Sequence, residues 1–391
     1  MRWRILALLF FARIGLGFQF QTLASVGDDL VVAFGFDYAE IGFLIGLFMA
    51  PGLLLALPAG FAGRYACDLS LAGIGLVALT LGGVVSGCAT EGWTIGLGRL
   101  IAGVGFVFGT VYFTKMIADW FDGREIATAM SIFVVSWPVG IAVGQIGHVW
   151  LAQTFDWHAP FLAASIYCGA GALAMFIWYR PPPNLEAANS FSPGLSVSLK
   201  ALEWRLVICA GAAWGLFNAG YVVYLTFASK MLIAHGAPTL GAASVVSLGS
   251  WLMLLSATLC GMIADRFGRR DTIMMVCMAG AVIALMLLSV PGAGVPASML
   301  FGLLGMAPAG VIMALAGQAI APQRRAFGMG VFFTIYYASM TAGPPIAGAI
   351  FDLHARADEP LMFGMALFAA VLPATFAFRH FKSNAPSACR T

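Results

Sequence analysis

Twelve apolar runs, separated by short charged or Pro/Gly-rich breaks, dominate this sequence of 391 residues. About 20 apolar residues suffice for a helix to cross a hydrocarbon layer roughly 30 Å thick. One soluble core could not bury so many runs, and the composition agrees: 61% of the residues are hydrophobic, 9% are charged, and the mean hydropathy is +0.93. Backbone groups in lipid must be hydrogen-bonded within their own segment, so the runs predict membrane-spanning helices.

The sequence therefore predicts an all-α, polytopic membrane protein with twelve transmembrane helices in two pseudo-symmetric six-helix bundles. The predicted spans lie near residues 5–27, 39–61, 69–89, 93–117, 126–151, 159–180, 205–230, 239–262, 272–290, 295–321, 327–351 and 360–381.

One long polar interval, Arg180 to Lys200, separates the sixth run from the seventh. Its three consecutive prolines cannot continue a membrane helix, which predicts a first bundle over 1–180, a cytoplasmic linker over 181–203 and a second bundle over 204–391. The stretch "FDGREIATAM" before span five also resembles "PQRRAFGMGV" before span eleven. A parallel repeat of this kind predicts two bundles that rock around a site at their interface.

The positions of lysine and arginine predict the orientation in the membrane, because positively charged loops stay cytoplasmic. With both termini inside, sixteen of the twenty Lys and Arg residues lie in cytoplasmic segments, two lie outside and two lie within spans. We expect a multi-pass protein of the cytoplasmic (inner) membrane with both termini cytoplasmic. The net charge of +3 gives no reason to expect nucleic-acid binding.

The loop between spans eight and nine reads "GMIADRFGRR". It resembles the loop signature G-x-x-x-D-R-x-G-R-R of the major facilitator superfamily, a family of membrane transporters. The resemblance implies two bundles that work by alternating access, with a gate-stabilising role for this loop. The matching residues are Gly261, Asp265, Arg266, Gly268, Arg269 and Arg270. The corresponding first-half loop keeps Gly60 and Arg64 but lacks the acidic residue and the second basic pair.

Other stretches resemble parts of the same superfamily. Arg99, Gly103 and Gly105 match its fourth-helix pattern, and "GIAVGQIG" in span five resembles the glycine-rich motif of exporters. The run "AGPPIAGAIFD" in span eleven is similar to the eleventh helix of monocarboxylate and oxalate carriers and of cyanate-permease-like members. The arginine that monocarboxylate carriers have in the eighth helix is missing here, so a cyanate-permease-like carrier fits somewhat better.

Two arginines lie inside predicted spans. Arg13 lies about 12 Å into span one, counted from Ile5 at 1.5 Å per residue, and Arg99 lies in span four. A charge facing lipid costs about 3 kcal/mol, so a position in a cavity is favoured over snorkelling. All seventeen Asp and Glu residues map to loops or span ends, and arginine does not deprotonate at accessible pH. Two cations without a buried counter-ion predict an anionic ligand.

Polar and aromatic residues near the middle of spans five, seven and eleven complete a candidate site, because their hydroxyl and amide groups can bond to an anion. Trp214, Asn218 and Tyr221 share one face of span seven through their i, i+4, i+7 spacing. The predicted binding residues are Arg13, Arg99, Trp137, Asn218, Tyr221, Tyr336 and Tyr337.

Enzymatic classes find no support in the sequence. The seven cysteines form no C-x-x-C pair, the five histidines lack ligand spacing and lie at predicted helix ends or in loops, and phosphate-binding loops are missing. We expect no metal and no cofactor, and the expected partners are the lipid bilayer and a small anionic substrate bound by a monomer. The sequence thus predicts a secondary transporter of a small inorganic or organic anion. Two alternatives stay open: a proton-coupled exporter of drugs or neutral metabolites, and a non-transporting membrane sensor.

Overall fold

The computed structural model describes residues 1–63, 65–121, 125–182, 199–320 and 324–384, and of Ile126, Ala127, Ser131, Asp265, Arg325 and Ala326 only the backbone. Within these ranges the chain forms fifteen α-helices and one π-helical turn. They are α1 (Arg2–Ser25), α2 (Gly27–Phe34), α3 (Tyr38–Leu47), α4 (Pro51–Ala62), α5 (Asp68–Gly87), α6 (Gly92–Trp120), α7 (Ile126–Thr154), α8 (His158–Trp178), α9 (Ala201–Ala234), α10 (Thr239–Phe267), α11 (Arg270–Leu288), α12 (Gly294–Leu300), the π turn (Phe301–Gly305), α13 (Ala309–Ala319), α14 (Arg325–His354) and α15 (Asp358–Ser383).

The predicted fold class is confirmed. Eleven helical segments in the described ranges are long and apolar enough to cross a membrane, with α3 and α4 counted as one and α12 to α13 as another. The twelfth, α14, has 30 residues but is less apolar because it carries tyrosines, threonines and two prolines at its centre. Those polar residues face the other bundle, as shown below.

Two spans are interrupted, which the apolar pattern did not predict. Span two breaks between α3 and α4, before Pro51, and span ten passes through the π turn before Pro308. Proline lacks the N–H that would continue the helix, so each break ends at a proline. The first break is packed tightly: a Cβ at Gly103 of α6 would overlap the carbonyl oxygen of Phe48.

Five of the six exposed tryptophans among the described residues lie near the two surfaces of the membrane, and the sixth, Trp251, lies midway along α10. Trp3, Trp178 and Trp204 lie near the face where α1 begins and α15 ends, here called the terminus face. Trp93 and Trp150 lie near the opposite face, here called the far face. Tryptophan favours the lipid headgroup region, because one part of the indole is apolar and the other is polar.

The two bundles meet along α3 and α14, which run antiparallel. A Cβ at Gly42 would overlap the Pro344 carbonyl, and one at Gly46 would overlap that of Thr341. Near the far face, a Cβ at Gly348 would overlap the carbonyl of Tyr38. Small residues let membrane helices approach closely, so these glycines set the distance between the bundles.

Charged groups close the far face between the bundles. Lys230 of α9 forms an ion pair with Asp28 of α2, and its ammonium group lies 4.2 Å from the centre of the Tyr38 ring. The carboxylate of Asp352, in α14, accepts hydrogen bonds from the backbone N–H groups of Tyr38 (3.0 Å) and Ala39 (2.7 Å) at the start of α3. We call Asp28, Tyr38, Lys230 and Asp352 the far-face latch.

Gly46→Ala should destabilise the protein, because the new methyl group would meet a backbone oxygen that cannot move independently of α14. Overpacking of this kind costs about 1–3 kcal/mol. Thermal unfolding in detergent, followed by tryptophan fluorescence, should show a lowered Tm. Gly147→Ala in α7 is the matched control, since no atom lies within 4 Å of its added methyl group. Equal Tm values for the two variants would contradict the tight contact.

Lys230→Met should open the far face more often, because it removes the cation that joins α9 to α2. A loss of about 1 kcal/mol from the closed state corresponds to a roughly fivefold larger open population. The measurement is the reaction rate of a membrane-impermeant thiol reagent with Ser229→Cys, which lines the space behind the latch, in a background without the native cysteines. Arg356→Met is the control, because its pair with Asp358 lies on the same face but inside one bundle. An unchanged rate in Lys230→Met would rule out a latch.

Candidate functional site

Arg13 lies near the middle of α1 and is held against α7 through one nitrogen. Its Nη1 donates to the carbonyl of Phe133 at 2.8 Å and to Oγ of Ser136 at 3.4 Å. The guanidinium carbon lies 4.4 Å from the centre of the Phe133 ring, a cation–π contact. The buried Nε has no hydrogen-bond partner. Arg13 is therefore fixed in place with part of its donor set unused.

Arg13 has no carboxylate partner among the residues that the structure describes. Each Asp and Glu in the described helices lies within two residues of a helix end. From the second bundle, the phenol of Tyr336 lies within electrostatic range of the guanidinium. The positive charge thus faces the interface of the bundles uncompensated.

A row of five aromatic rings crosses the interface beside Arg13. In the first bundle, the rings of Trp137 and Phe106 are 5.0 Å apart between centroids. Phe106 meets Tyr337 of the second bundle at 6.4 Å, Tyr337 meets Tyr336 at 5.1 Å, and Tyr336 meets Trp214 at 6.2 Å. We call these five residues the aromatic bridge. It brings together three predicted site residues, Trp137, Tyr336 and Tyr337.

The polar tips of the aromatic bridge lack partners. Tyr336 and Tyr337 are only 8% and 4% exposed, yet neither hydroxyl makes a hydrogen bond to any described residue. Three other buried tyrosines do bond: Tyr112 to the Ala59 carbonyl, Tyr221 to Ser250 and Tyr224 to Ser298. Because a buried tyrosine hydroxyl usually finds a partner, the two free hydroxyls indicate a surface that meets something other than protein.

Arg99 occupies a different position from the one its sequence pattern suggested. Its side chain is 1% exposed and donates to the carbonyls of Gln19 (3.1 Å), Phe20 (3.3 Å) and Leu44 (3.3 Å). It also donates to Oγ1 of Thr22 at 3.3 Å. These bonds tie α6 to α1 and α3 inside the first bundle. In this conformation Arg99 supports α1 behind the aromatic bridge and offers no free edge to the interface.

Two further residues of the predicted set point elsewhere. The Tyr221 hydroxyl lies 2.7 Å from Oγ of Ser250 in α10, so the side chain faces the interior of the second bundle. Asn218 donates through Nδ2 to the carbonyl of Trp214, one turn earlier in its own helix, at 2.8 Å. All three residues lie on α9 with the predicted spacing, but of their side chains only that of Trp214 belongs to the aromatic bridge.

Three buried polar residues form a group that the sequence analysis did not single out. Gln21 donates to Oε1 of Gln145, and Gln145 donates to the carbonyl of Leu225 in the second bundle at 3.3 Å. His148 is fully buried inside α7, not at a helix end, and its Nε2 lies 2.9 Å from the Phe18 carbonyl. The spacing of Gln145 and His148, one turn apart, is the signal that could have revealed them.

A cavity of about 40 Å³ lies behind the far-face latch, lined by Gln145, Thr226 and Ser229 together with three latch residues. It has room for one or two water molecules and none for a substrate. Outside the spans, partial burial and the charge of Asp28 raise the pKa of the Asp29 carboxyl. The latch region is thus a small polar closure, separate from Arg13.

The loop motif forms a tight turn between α10 and α11 on the terminus face. Gly268 has φ +65°, the left-handed conformation that glycine adopts at a helix C-terminus, and no atom lies within 4 Å of a Cβ built at Gly261 or Gly268. Arg266 and Arg269 are exposed and Arg270 is half-buried. The side chain of Asp265 and the whole of Arg64 lie outside the described residues, so the gating role stays a prediction. An ion pair between Asp271 and Arg379 joins α11 to α15.

Arg99→Gln should destabilise the protein whether or not an anion is present, because it removes donors to the main chain of α1 and α3. Hydrogen bonds to a charged group contribute about 1.5–3 kcal/mol each at most. We expect a markedly lower Tm at every anion concentration. Arg180→Gln is the control, since that side chain is exposed and bonds only to carbonyls of its own segment. A stable Arg99→Gln protein that has lost only an anion response would place Arg99 in the binding site instead.

Comparisons with known proteins agree with this architecture. The family model of the Major Facilitator Superfamily matches residues 9–344 and, in a second match, 231–388. An uncharacterised MFS-type transporter of Mycobacterium tuberculosis is 25% identical over 332 residues, which are 83% of this chain and 68% of that protein. A probable sphingolipid transporter of Arabidopsis thaliana, spinster homolog 1, is 26% identical over 192 residues, 46% of this chain and 37% of that protein.

A solved structure shows the same fold over the whole length. The crystal structure of a bacterial homologue of the human lysosomal transporter Spinster, in an inward-facing and unoccupied conformation, has a TM-score of 0.76 at 17% identity and covers 98% of this chain and 97% of that one. The structure has twelve spans in two bundles that meet along α3 and α14. The family model matches almost the entire sequence. The chain belongs to the Major Facilitator Superfamily of membrane transporters.

Proposed function

We propose that this chain is a secondary transporter that moves a small anion, inorganic or organic, and that the anion binds at Arg13 between the bundles. The observation that carries the proposal is the partly buried guanidinium, with an unpartnered Nε and no carboxylate partner among the described residues. Arginine stays charged at accessible pH. A buried charge without a partner is costly, and a bound anion would offset that cost.

The arrangement suggests how binding and movement are connected. Arg13 and Trp137 belong to the first bundle, whereas Tyr336 and Tyr337 belong to the second. An anion at Arg13 would therefore contact both bundles and favour the conformation in which they close around it. Opening towards the far face would require the latch to separate. Arg99 supports α1 throughout the cycle, because its bonds lie within one bundle.

Coupling follows one of two chemistries. A proton moves with the substrate, as its protonated form, or a second anion is exchanged for the first. In either case the anionic form is the one that neutralises Arg13, because the protonated substrate carries no charge.

The charge distribution supports the orientation proposed for the chain, with the terminus face in the cytoplasm and the bundles spanning the cytoplasmic membrane as a monomer. The far face carries Lys230 and Arg356. The described cations near the terminus face are Arg2, Arg4, Lys115, Arg180, Lys200, Arg205, Arg266, Arg269, Arg270, Arg324, Arg379 and Lys382. The bundle limits of 1–180 and 204–391 belong to the same proposal.

A second candidate function is proton-coupled export of drugs or neutral metabolites. The similarity to a probable sphingolipid transporter over 46% of the chain favours it, and so does the aromatic bridge, which could pack against a large apolar molecule. A neutral substrate would leave Arg13 buried without compensation. We therefore rank anion transport first.

Arg13→Gln should abolish stabilisation by anions and leave the fold intact, because the variant removes the charge but keeps a side chain that can bond to Phe133. A ligand that binds only the folded state at 100 times its Kd stabilises it by about 2.7 kcal/mol. The measurement is a thermal-shift panel of phosphate, acetate and benzoate against lipophilic cations and sugars. Stabilisation by cations or sugars alone would overturn the proposal. An anion response retained in Arg13→Gln would mean that Arg13 only anchors α1 to α7.

A further inference from the structure

We propose that the anion is a monocarboxylate with a flat aromatic or similarly planar body, held at one end by Arg13 and along its body by the aromatic bridge. This inference rests on the anion transport proposed above and names the class of substrate that the same site takes.

The hydrogen bonds of Arg13 determine which edge of its guanidinium group is available. The Nη1 nitrogen donates to the Phe133 carbonyl and to Ser136, and the Phe133 ring covers one face of the group. The unused donors are on Nε, which has no partner, and on Nη2, which makes no hydrogen bond to any residue in the described ranges. These two nitrogens form one edge with two parallel N–H bonds. That edge matches the two oxygens of a carboxylate.

The number of free charges limits the charge of the ligand. Arg99 is bonded to main-chain carbonyls, Lys115 is paired with Asp68, and Lys230 is paired with Asp28. Of these four cations, Arg13 is the one that lacks both a carboxylate partner and a full set of hydrogen bonds to described residues. A single uncompensated charge matches a monoanion. A dianion such as hydrogen phosphate would bring a second negative charge with no cation to meet it.

The aromatic bridge defines what the rest of the ligand resembles. Its rings run from Trp137 in one bundle to Trp214 in the other, with neighbouring centroids 5.0 to 6.4 Å apart. Such a row offers faces and edges for stacked or edge-to-face contacts with a planar body. The row has few hydrogen-bonding groups that could bind the many hydroxyls of a sugar.

The free hydroxyls of Tyr336 and Tyr337 supply the remaining specificity. Each is attached to a ring that is more than nine-tenths buried, and neither bonds to a described residue. Tyr336 also lies within electrostatic range of Arg13, so its O–H can donate to the carboxylate that Arg13 holds. That hydrogen bond would join the two bundles through the ligand. The aromatic bridge and Arg13 would thus recognise different ends of one molecule.

The test measures binding to the purified full chain by thermal shift and by isothermal titration, with benzoate, cyclohexanecarboxylate, acetate, benzamide and phosphate as probes. We expect benzoate to bind at least tenfold more tightly than acetate, phosphate and the neutral benzamide, and more tightly than cyclohexanecarboxylate. Arg13→Lys should lower benzoate affinity at least tenfold, because an ammonium group lacks the planar two-donor edge.

Two more variants separate the body of the ligand from its charge. Trp137→Leu should weaken benzoate several-fold and leave acetate unchanged, whereas Trp150→Leu, in the same helix but exposed on the far half, should change neither. Tyr336→Phe keeps the ring and removes only the hydroxyl, so it should weaken benzoate several-fold without affecting Tm in the absence of ligand. It serves as the test if Trp137→Leu does not fold.

The outcomes distinguish this inference from the function on which it rests. If phosphate and acetate bind through Arg13 as tightly as benzoate, and Trp137→Leu and Tyr336→Phe have no effect, the substrate class is wrong and anion transport stands. If benzamide binds as tightly as benzoate, the site does not recognise the negative charge. The monocarboxylate substrate class and the proposed anion transport are then both wrong. If benzoate stabilises Arg13→Gln as well as the parent chain, it binds elsewhere and the inference is overturned.

Discussion

The arrangement of this protein depends on one positive charge, that of Arg13, partly buried between two bundles with no carboxylate to neutralise it among the residues described. The same residue type at Arg99 shows that burial alone does not create such a site. Arg99 gives its donors to the main chain of α1 and α3, so its charge is dispersed over carbonyl dipoles and it acts as a support. Arg13 gives one nitrogen to α7 and keeps an edge unused. The number of main-chain carbonyls within reach, and not the depth in the membrane, separates an arginine whose donors are used from one that keeps an edge unbonded.

Single helices connect the central site to the closure on the far face. Helix α14 carries Tyr336 at its middle and Asp352 near its end, about 24 Å apart at 1.5 Å per residue. Between them lie Pro344 and Pro345, which remove two helix N–H groups and allow bending. Helix α1 likewise begins on the terminus face, carries Arg13 and ends beside the short helix that holds Asp28. A ligand that draws Tyr336 towards Arg13 therefore acts on the two elements whose ends form the latch. If an anion binds as proposed, movement at the site would be transmitted along α14 to the bonds between Asp352 and α3.

Features that depend on composition and residue spacing could be predicted from the sequence. Features that depend on a contact with a residue in another helix could not. The helix count, the span limits to within a few residues and the position of Arg13 inside a span all follow from apolar runs. The break before Pro51 is stabilised by the approach of Gly103 from another helix, which no local pattern reveals. Tyr221 is a second example: the spacing along α9 gives its position on the helix, but its hydrogen-bond partner, Ser250, belongs to α10 and cannot be predicted from that spacing. The sequence also predicts His148 near the end of span five, at residue 151. Helix α7 continues to Thr154, and His148 is buried inside it.

Specificity at this site follows from what each candidate ligand would leave unbonded. A neutral apolar molecule would contact the rings of the aromatic bridge but leave the Arg13 edge and the two tyrosine hydroxyls without an acceptor, which costs about 1–3 kcal/mol for each polar group that loses its contact with water. An inorganic anion would satisfy Arg13 and leave the rings without contact. A planar carboxylate would bond to Arg13 and the tyrosine hydroxyls and would also contact the rings of the aromatic bridge. The site would then disfavour neutral apolar molecules and inorganic anions without any additional residue. Discrimination by unsatisfied polar groups is stronger than discrimination by size, because an apolar pocket tolerates an ill-fitting molecule better than a buried donor tolerates a missing acceptor.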